Sequence, residues 1–192
     1  MKQIHLSIFL ALGMIFYSCT STNSSNSNPP QSDFPLVNST FDSSGHPSLD
    51  GWLHDNSDVD STATFLQDAP PGLGGTWSIA LIPGWVPFRE SVERSFTGLS
   101  SGVYQLTAWT KIRNLNNFVL AGQIGITKIS GGKSDAKTLT TGDSTAWHPL
   151  TLLDTLTLQS TDTVQIKLDG GTCEVCAIDS VLYNNITFKK LP

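Results

Sequence analysis

The residues with the clearest chemical character lie on one short run, Leu99 to Arg113, LSSGVYQLTAWTKIR. After the turn at Ser100-Ser101-Gly102 the run alternates: Tyr104, Leu106, Ala108 and Ile112 point one way, and Gln105, Thr107, Trp109, Lys111 and Arg113 the other. A period of two is the mark of a half-buried strand, whose successive side chains leave opposite faces of the pleat. The second face sets an indole among amide, ammonium and guanidinium groups. Sugars present apolar C–H faces and hydroxyl edges, so an exposed aromatic ring flanked by hydrogen-bonding side chains suits them. Trp109, Gln105, Lys111 and Arg113 therefore form a candidate ligand-binding row. Gln165 and Lys167, outward residues of the alternating run Thr163–Leu168, would extend it if their strand shared the sheet. Trp85, in the turn-like Pro83-Gly84-Trp85-Val86-Pro87, is a second aromatic candidate on a loop. The bland alternative is a tryptophan packed on the core rim, the place expected for Trp52, Trp77 and Trp147.

Other reactive residues read more plainly. Cys173 and Cys176 form CEVC. A zinc site needs about four ligands and no second pair exists, and a thioredoxin-type dithiol needs a helix N-terminus. In an oxidising compartment the pair closes a small disulfide across a turn, with free thiols as the alternative. The segment His46–Asp60, HPSLDGWLHDNSDVD, mixes imidazoles and carboxylates. Its spacing matches neither an EF-hand loop nor HExxH, and it reads as a solvated loop leading through Trp52. Gly142-Asp143-Ser144 spells the nucleophile block of GDS-type esterases but lies late in the chain, in a turn, without the later DxxH pair. No segment advertises paired carboxylates or an activated nucleophile. The expectation is a protein that is not an enzyme.

The elements that must position these groups are strands. After Ser32 no window carries a 3.6-residue apolar period, and short β-branched or aromatic runs are separated by Gly, Ser, Thr, Asn and Asp. This spacing predicts an all-β sandwich or barrel. Strands are expected over residues 35–41, 62–67, 76–82, 91–96, 103–113, 118–129, 147–158, 163–168 and 177–188, with a turn at Gly131-Gly132. With 16 acidic against 11 basic residues, the chain has a formal net charge of −5. Phosphate binding needs a basic stripe, so nucleic acid is not an expected partner.

The N-terminus, MKQIHLSIFLALGMIFYSC, has one lysine before an apolar run too short to span a bilayer. Its end, Phe16-Tyr17-Ser18-Cys19, resembles the lipobox of bacterial lipoproteins. The resemblance implies cleavage after residue 18, lipidation of Cys19 and an envelope protein anchored in a membrane, taken as the outer membrane. Phe16 departs from the usual leucine. Residues 19–33 carry the uncharged TSTNSSNSNPPQS run, expected to be a flexible tether, and residues 34–192 form one domain.

The order VNSTFD, Gly51-Trp52, WSIAL, SFTGLSSGVYQLTAW, Trp147, DTVQIKL and AIDSVLY resembles the galactose-binding-like jelly roll of many carbohydrate-binding modules. The likeness covers nearly the whole domain. It implies a β-sandwich jelly roll whose partner is a glycan or, alternatively, another envelope protein docking on the same face. It also implies a structural Ca²⁺ between Asp42, which follows Phe41, and Asp179 of Ile178-Asp179-Ser180-Val181. Two carboxylates plus turn carbonyls can meet the oxygen preference of calcium. The alternative is that both aspartates serve turns and backbone amides.

Overall fold

The computed structural model describes residues 35–55, 62–82, 90–113, 122–171 and 180–192. Cys19, Trp85, Cys173, Cys176 and Asp179, the residues expected to carry an anchor, a loop indole, a disulfide and a calcium ligand, lie outside the described residues. Among the described residues there is no helix.

The chain lays down β1 (Val37–Ser39), β2 (Asp42–Ser43), β3 (His46–Pro47), β4 (Leu53–Asp55), β5 (Thr62–Leu66), β6 (Ser78–Ile82) and β7 (Ser91–Thr97). It continues through β8 (Gly102–Arg113), β9 (Gln123–Ser130), β10 (Lys133–Thr140), β11 (His148–Leu156), β12 (Thr163–Asp169) and β13 (Ser180–Lys190). One sheet runs β11-β8-β13-β6-β5, with β1 pairing the far half of β13. The other runs β10-β9-β12-β7-β4, and β2 and β3 form a small hairpin apart. Every pairing is antiparallel. The two sheets stack as a β-sandwich jelly roll, because each has one continuous apolar face that must leave water.

That core is built from the alternation itself. Tyr104, Leu106, Ala108 and Ile112 of β8, with Ile79, Leu81, Val181, Tyr183 and Phe188, meet Val92, Ile124, Ile126, Val164, Ile166 and Leu168 of the opposite sheet. Each large side chain buried in this way contributes roughly 1.5–3 kcal/mol relative to exposure. Phe188 ties the layers together, with ring centroids 5.4 Å from Phe96 and 5.5 Å from Tyr104. Trp52 is buried against Phe41, 5.5 Å between centroids, as a core-rim residue should be.

Local chemistry explains the connections. Gly131 and Gly132, at φ 55° and 78°, join β9 to β10 in a two-residue hairpin loop that needs positive φ at both positions. Several expected boundaries move. The first strand shrinks to Val37–Ser39 because Phe41 sits at φ 54°, outside any strand conformation. The segment His46–Asp60, expected to be a loop, begins with β3, which pairs with β2 just before it, and contains β4, which pairs with β7. The hairpin strand β10 was not expected. In β13 the register with β8 shifts between Asn184 and Thr187, so the bulge turns Ile186 and Phe188 back to the core.

Candidate functional site

β8 is flanked by β11 and β13, so its outward row sits in the interior of a sheet and not at an edge. Trp109 pairs across with Pro149 on one side and Asn184 on the other, and it is half-buried. Thr107 lies opposite Thr151, their hydroxyls 3.4 Å apart. Gln105 is half-buried opposite Leu153 and Lys189. Arg113, at the strand end, is exposed. The expected row is therefore present, on the outer face of the six-stranded sheet.

Two indoles bound it. Trp147, assigned to the core rim from sequence, instead lies half-buried on this outer side, where its Nε1–H donates to Asp68 Oδ1 at 3.0 Å. Lys111 Nζ lies 2.5 Å from Asp68 Oδ2 and 5.5 Å over the Trp147 ring. Lys111 is the next outward residue after Trp109, so it has Trp109 beside it along the strand and the Trp147 ring, next to the start of β11, under its ammonium. Asp68 belongs to the connection from β5 to β6. That connection reaches from the β5 edge over β6 and β13 to β8: Ser78 Oγ donates to the Asp68 carbonyl, and Asn184 Nδ2 donates to the Trp77 carbonyl at 2.8 Å. Ser78, Ala80, Leu182 and Asn184, which point outward by register, are consequently buried. Burial pushes the Asp68 carboxyl upward, but the bonds from Lys111 and Trp147 and the charges of Lys111 and Arg113 hold it below the usual carboxylate range. Lys111 is thus held by Asp68, while Trp109, Gln105 and Thr107 keep outward access on the strand.

Gln165 and Lys167 do not extend this row. They lie on β12 in the other sheet, facing out on the opposite side of the sandwich. There Lys167 pairs across from Glu93, with its Nζ 3.9 Å from Asp169 Oδ2, and Gln165 Nε2 lies 3.5 Å from Ser95 Oγ. The two groups expected to share a surface are separated by the full thickness of the core. Trp77, the third tryptophan assigned to the core rim, is half-buried and donates Nε1–H to the Gly45 carbonyl at 3.2 Å.

Asp42 sits at the β2–β3 hairpin. Its Oδ1 accepts the Gly45 amide at 2.8 Å and its Oδ2 the Thr76 amide at 2.9 Å. Both oxygens thus face N–H dipoles, the turn role weighed as the alternative to calcium. Among the described residues no three His, Cys, Asp or Glu side chains gather into a cation site, and Asp179, the other expected calcium ligand, lies outside them. The sequence also offered no hint that His54 of β4 would pair through Nε2 with Oε1 of the fully buried Glu90, next to the start of β7. The two are 36 positions apart and meet only because β4 joins the sheet beside β7.

No family model and no curated protein sequence matches the chain. Solved structures do. The domain is similar to the CBM22-1 xylan-binding domain of Paenibacillus barcinonensis Xyn10C, with a TM-score of 0.55 at 12% identity, covering 82% of this chain and 94% of that one. It is similar to the CBM22-1–GH10 modules of Clostridium thermocellum Xyn10B complexed with xylohexaose, with a TM-score of 0.58 at 14% identity over 84% and 29%. It also resembles the enzymatically active domain of bacteriophage CBA120 tailspike protein 4, with a TM-score of 0.58 at 15% identity over 75% of this chain, which spans only 20% of that one. These likenesses show the fold: a jelly roll of the kind found in carbohydrate-binding modules.

Proposed function

We propose that the domain is a non-catalytic carbohydrate-binding module that meets its glycan on the outer face of the β8 sheet. The observation that carries this reading is Trp109: a half-buried indole in the middle of an outward strand row, followed by Lys111 over the Trp147 ring and preceded by Thr107 and Gln105. An indole offers a flat apolar surface for the C–H face of a pyranose, and the neighbouring amide and hydroxyl groups reach its edge. Asp68 fixes Lys111 and Trp147, so the polar end of the row is preorganised and loses little side-chain entropy on binding. The likeness in fold to xylan-binding modules supports the ligand class.

The same proposal places the protein at a bacterial envelope, anchored by lipid on Cys19, with the tether carrying the domain clear of the membrane. Buried acyl CH₂ groups contribute about 0.8 kcal/mol each to such anchoring. Labelling with a palmitate analogue should mark the wild-type chain and not Cys19→Ala. The ligand reading is tested by probing the full-length chain, purified in detergent, on a glycan array. Binding that Trp109→Ala weakens supports it. Retention of one envelope protein with no glycan bound would replace it by the docking role.

A further inference from the structure

Along one side of the sandwich β10 and β11 are the edge strands of their respective sheets and face each other. Core-facing positions near that side begin as expected: Leu139 pairs with Ile124, and Leu150 and Leu152 pair with Ala108 and Leu106. Further along the same core-facing rows the residue type changes. Lys137 pairs with Ile126, Asp135 with Lys128, and Asp154 with the fully buried Tyr104. Charge at positions whose register points inward cannot close the gap by apolar packing. A cleft of about 390 Å³ opens there, lined by these four charged residues together with Leu156 and Thr157 among others. That volume lies within the roughly 300–1,000 Å³ typical of small-ligand clefts.

The chemistry of the cleft narrows its occupant. Lys128 Nζ donates to the Thr157 carbonyl at 2.6 Å and lies 3.4 Å from Asp162, so its charge is already matched. Asp154 is different. Its side chain is 20% exposed, and its ion partner Lys137 Nζ stands 3.8 Å away, beyond hydrogen-bond contact. The carboxylate therefore keeps lone pairs directed at donors, while Lys137 keeps N–H groups for acceptors. An anionic ligand would meet Asp135 and Asp154, and an apolar one would desolvate all four charges. A neutral molecule whose adjacent groups both donate and accept fits, and that is the hydroxyl pattern of a sugar.

We infer that this lateral cleft is a second glycan subsite, in which Asp154 accepts and Lys137 donates hydrogen bonds to the hydroxyls of a neutral sugar residue. The inference rests on the carbohydrate reading above but on none of the residues of the Trp109 face. The test uses the full-length chain and an array of neutral oligosaccharides that includes xylohexaose. For the glycan bound, Asp154→Asn should weaken affinity about tenfold, as expected when a charged acceptor becomes a neutral amide in which one oxygen is replaced by a donor. As a readout on the wild-type chain, bound glycan should protect Lys137 from acetylation while the exposed Lys133 still labels. Unchanged affinity in Asp154→Asn, or equal Lys137 labelling with and without glycan, overturns the subsite even where Trp109→Ala abolishes binding. Loss on Asp154→Asn alone, with Trp109→Ala silent, keeps the subsite and removes the face. No glycan bound by the wild type overturns both.

Discussion

Asp68, in the β5–β6 connection, and Lys111 of β8, 43 positions apart in the chain, hold each other at 2.5 Å across the outer face of the sheet, and the same carboxylate accepts the Trp147 indole N–H at 3.0 Å. One aspartate thereby pins the β5–β6 connection over β13 and fixes the cation and one indole of the candidate site.

Asp68→Ala should lower stability by about 1–2 kcal/mol, combining a charge-assisted bond with a partly exposed ion pair that solvent screens. Asp68→Asn should cost less, because its carbonyl still accepts the Trp147 N–H. Urea unfolding of the two variants gives the comparison.

Acid dependence follows from the same group. The folded Asp68 carboxyl titrates below its unfolded value near about 3.9, so its contribution is complete above that pH and is lost as pH falls through the lower folded value. Asp162 acts in the same direction, its carboxyl held down first by the Gln159 amide, then by Ser130 and Lys128, against the opposing effect of burial. The wild-type unfolding midpoint should therefore fall more steeply below about pH 4 than that of Asp68→Asn.

At the alkaline end Tyr183 dominates. Burial, and then the Asp169 charge, push its phenol well above the usual range, while its O–H donates to the Asp169 carbonyl at 2.7 Å. The unfolded chain releases this proton near about pH 10 and the folded chain does not, so stability declines as pH rises beyond that point. Tyr183→Phe should cost about 1–2 kcal/mol at neutral pH, by leaving buried carbonyls without their donor, yet show a flatter alkaline limb.

Asp42 separates two roles. Asp42→Ala should lower stability by about 1–2 kcal/mol through the lost Gly45 and Thr76 bonds, with or without chelator. If Asp42 and Asp179 also share a calcium ion, EDTA should lower the wild-type thermal midpoint and leave that of Asp42→Ala unchanged. An EDTA-insensitive wild type assigns Asp42 to the turn alone.

The alternation from Val103 to Arg113 was legible because one side of that strand faces a dry core and the other does not, and burial follows it residue by residue. The same logic put Val164, Ile166 and Leu168 inward. Period two distinguishes inside from outside but not one sheet from another, which is why Gln165 and Lys167 looked like neighbours of Trp109 while lying across the core from it. β10 escaped because KSDAKTLT is an edge strand with charge spread along it, the composition that keeps edges from pairing further and that erases apolar alternation. The Asp68–Trp147 bond joins residues 79 apart through a connection that crosses the sheet, and no local pattern encodes that crossing.

The central claim is that the Trp109 face binds glycan. The direct measurement is calorimetric titration of the array-identified oligosaccharide into full-length wild type, Trp109→Phe and Trp109→Ala. The account predicts partial retention with Phe and at least a tenfold loss with Ala, about 1.4 kcal/mol or more, at an unchanged thermal midpoint. Equal affinity for wild type and Trp109→Ala, both folded, would contradict it.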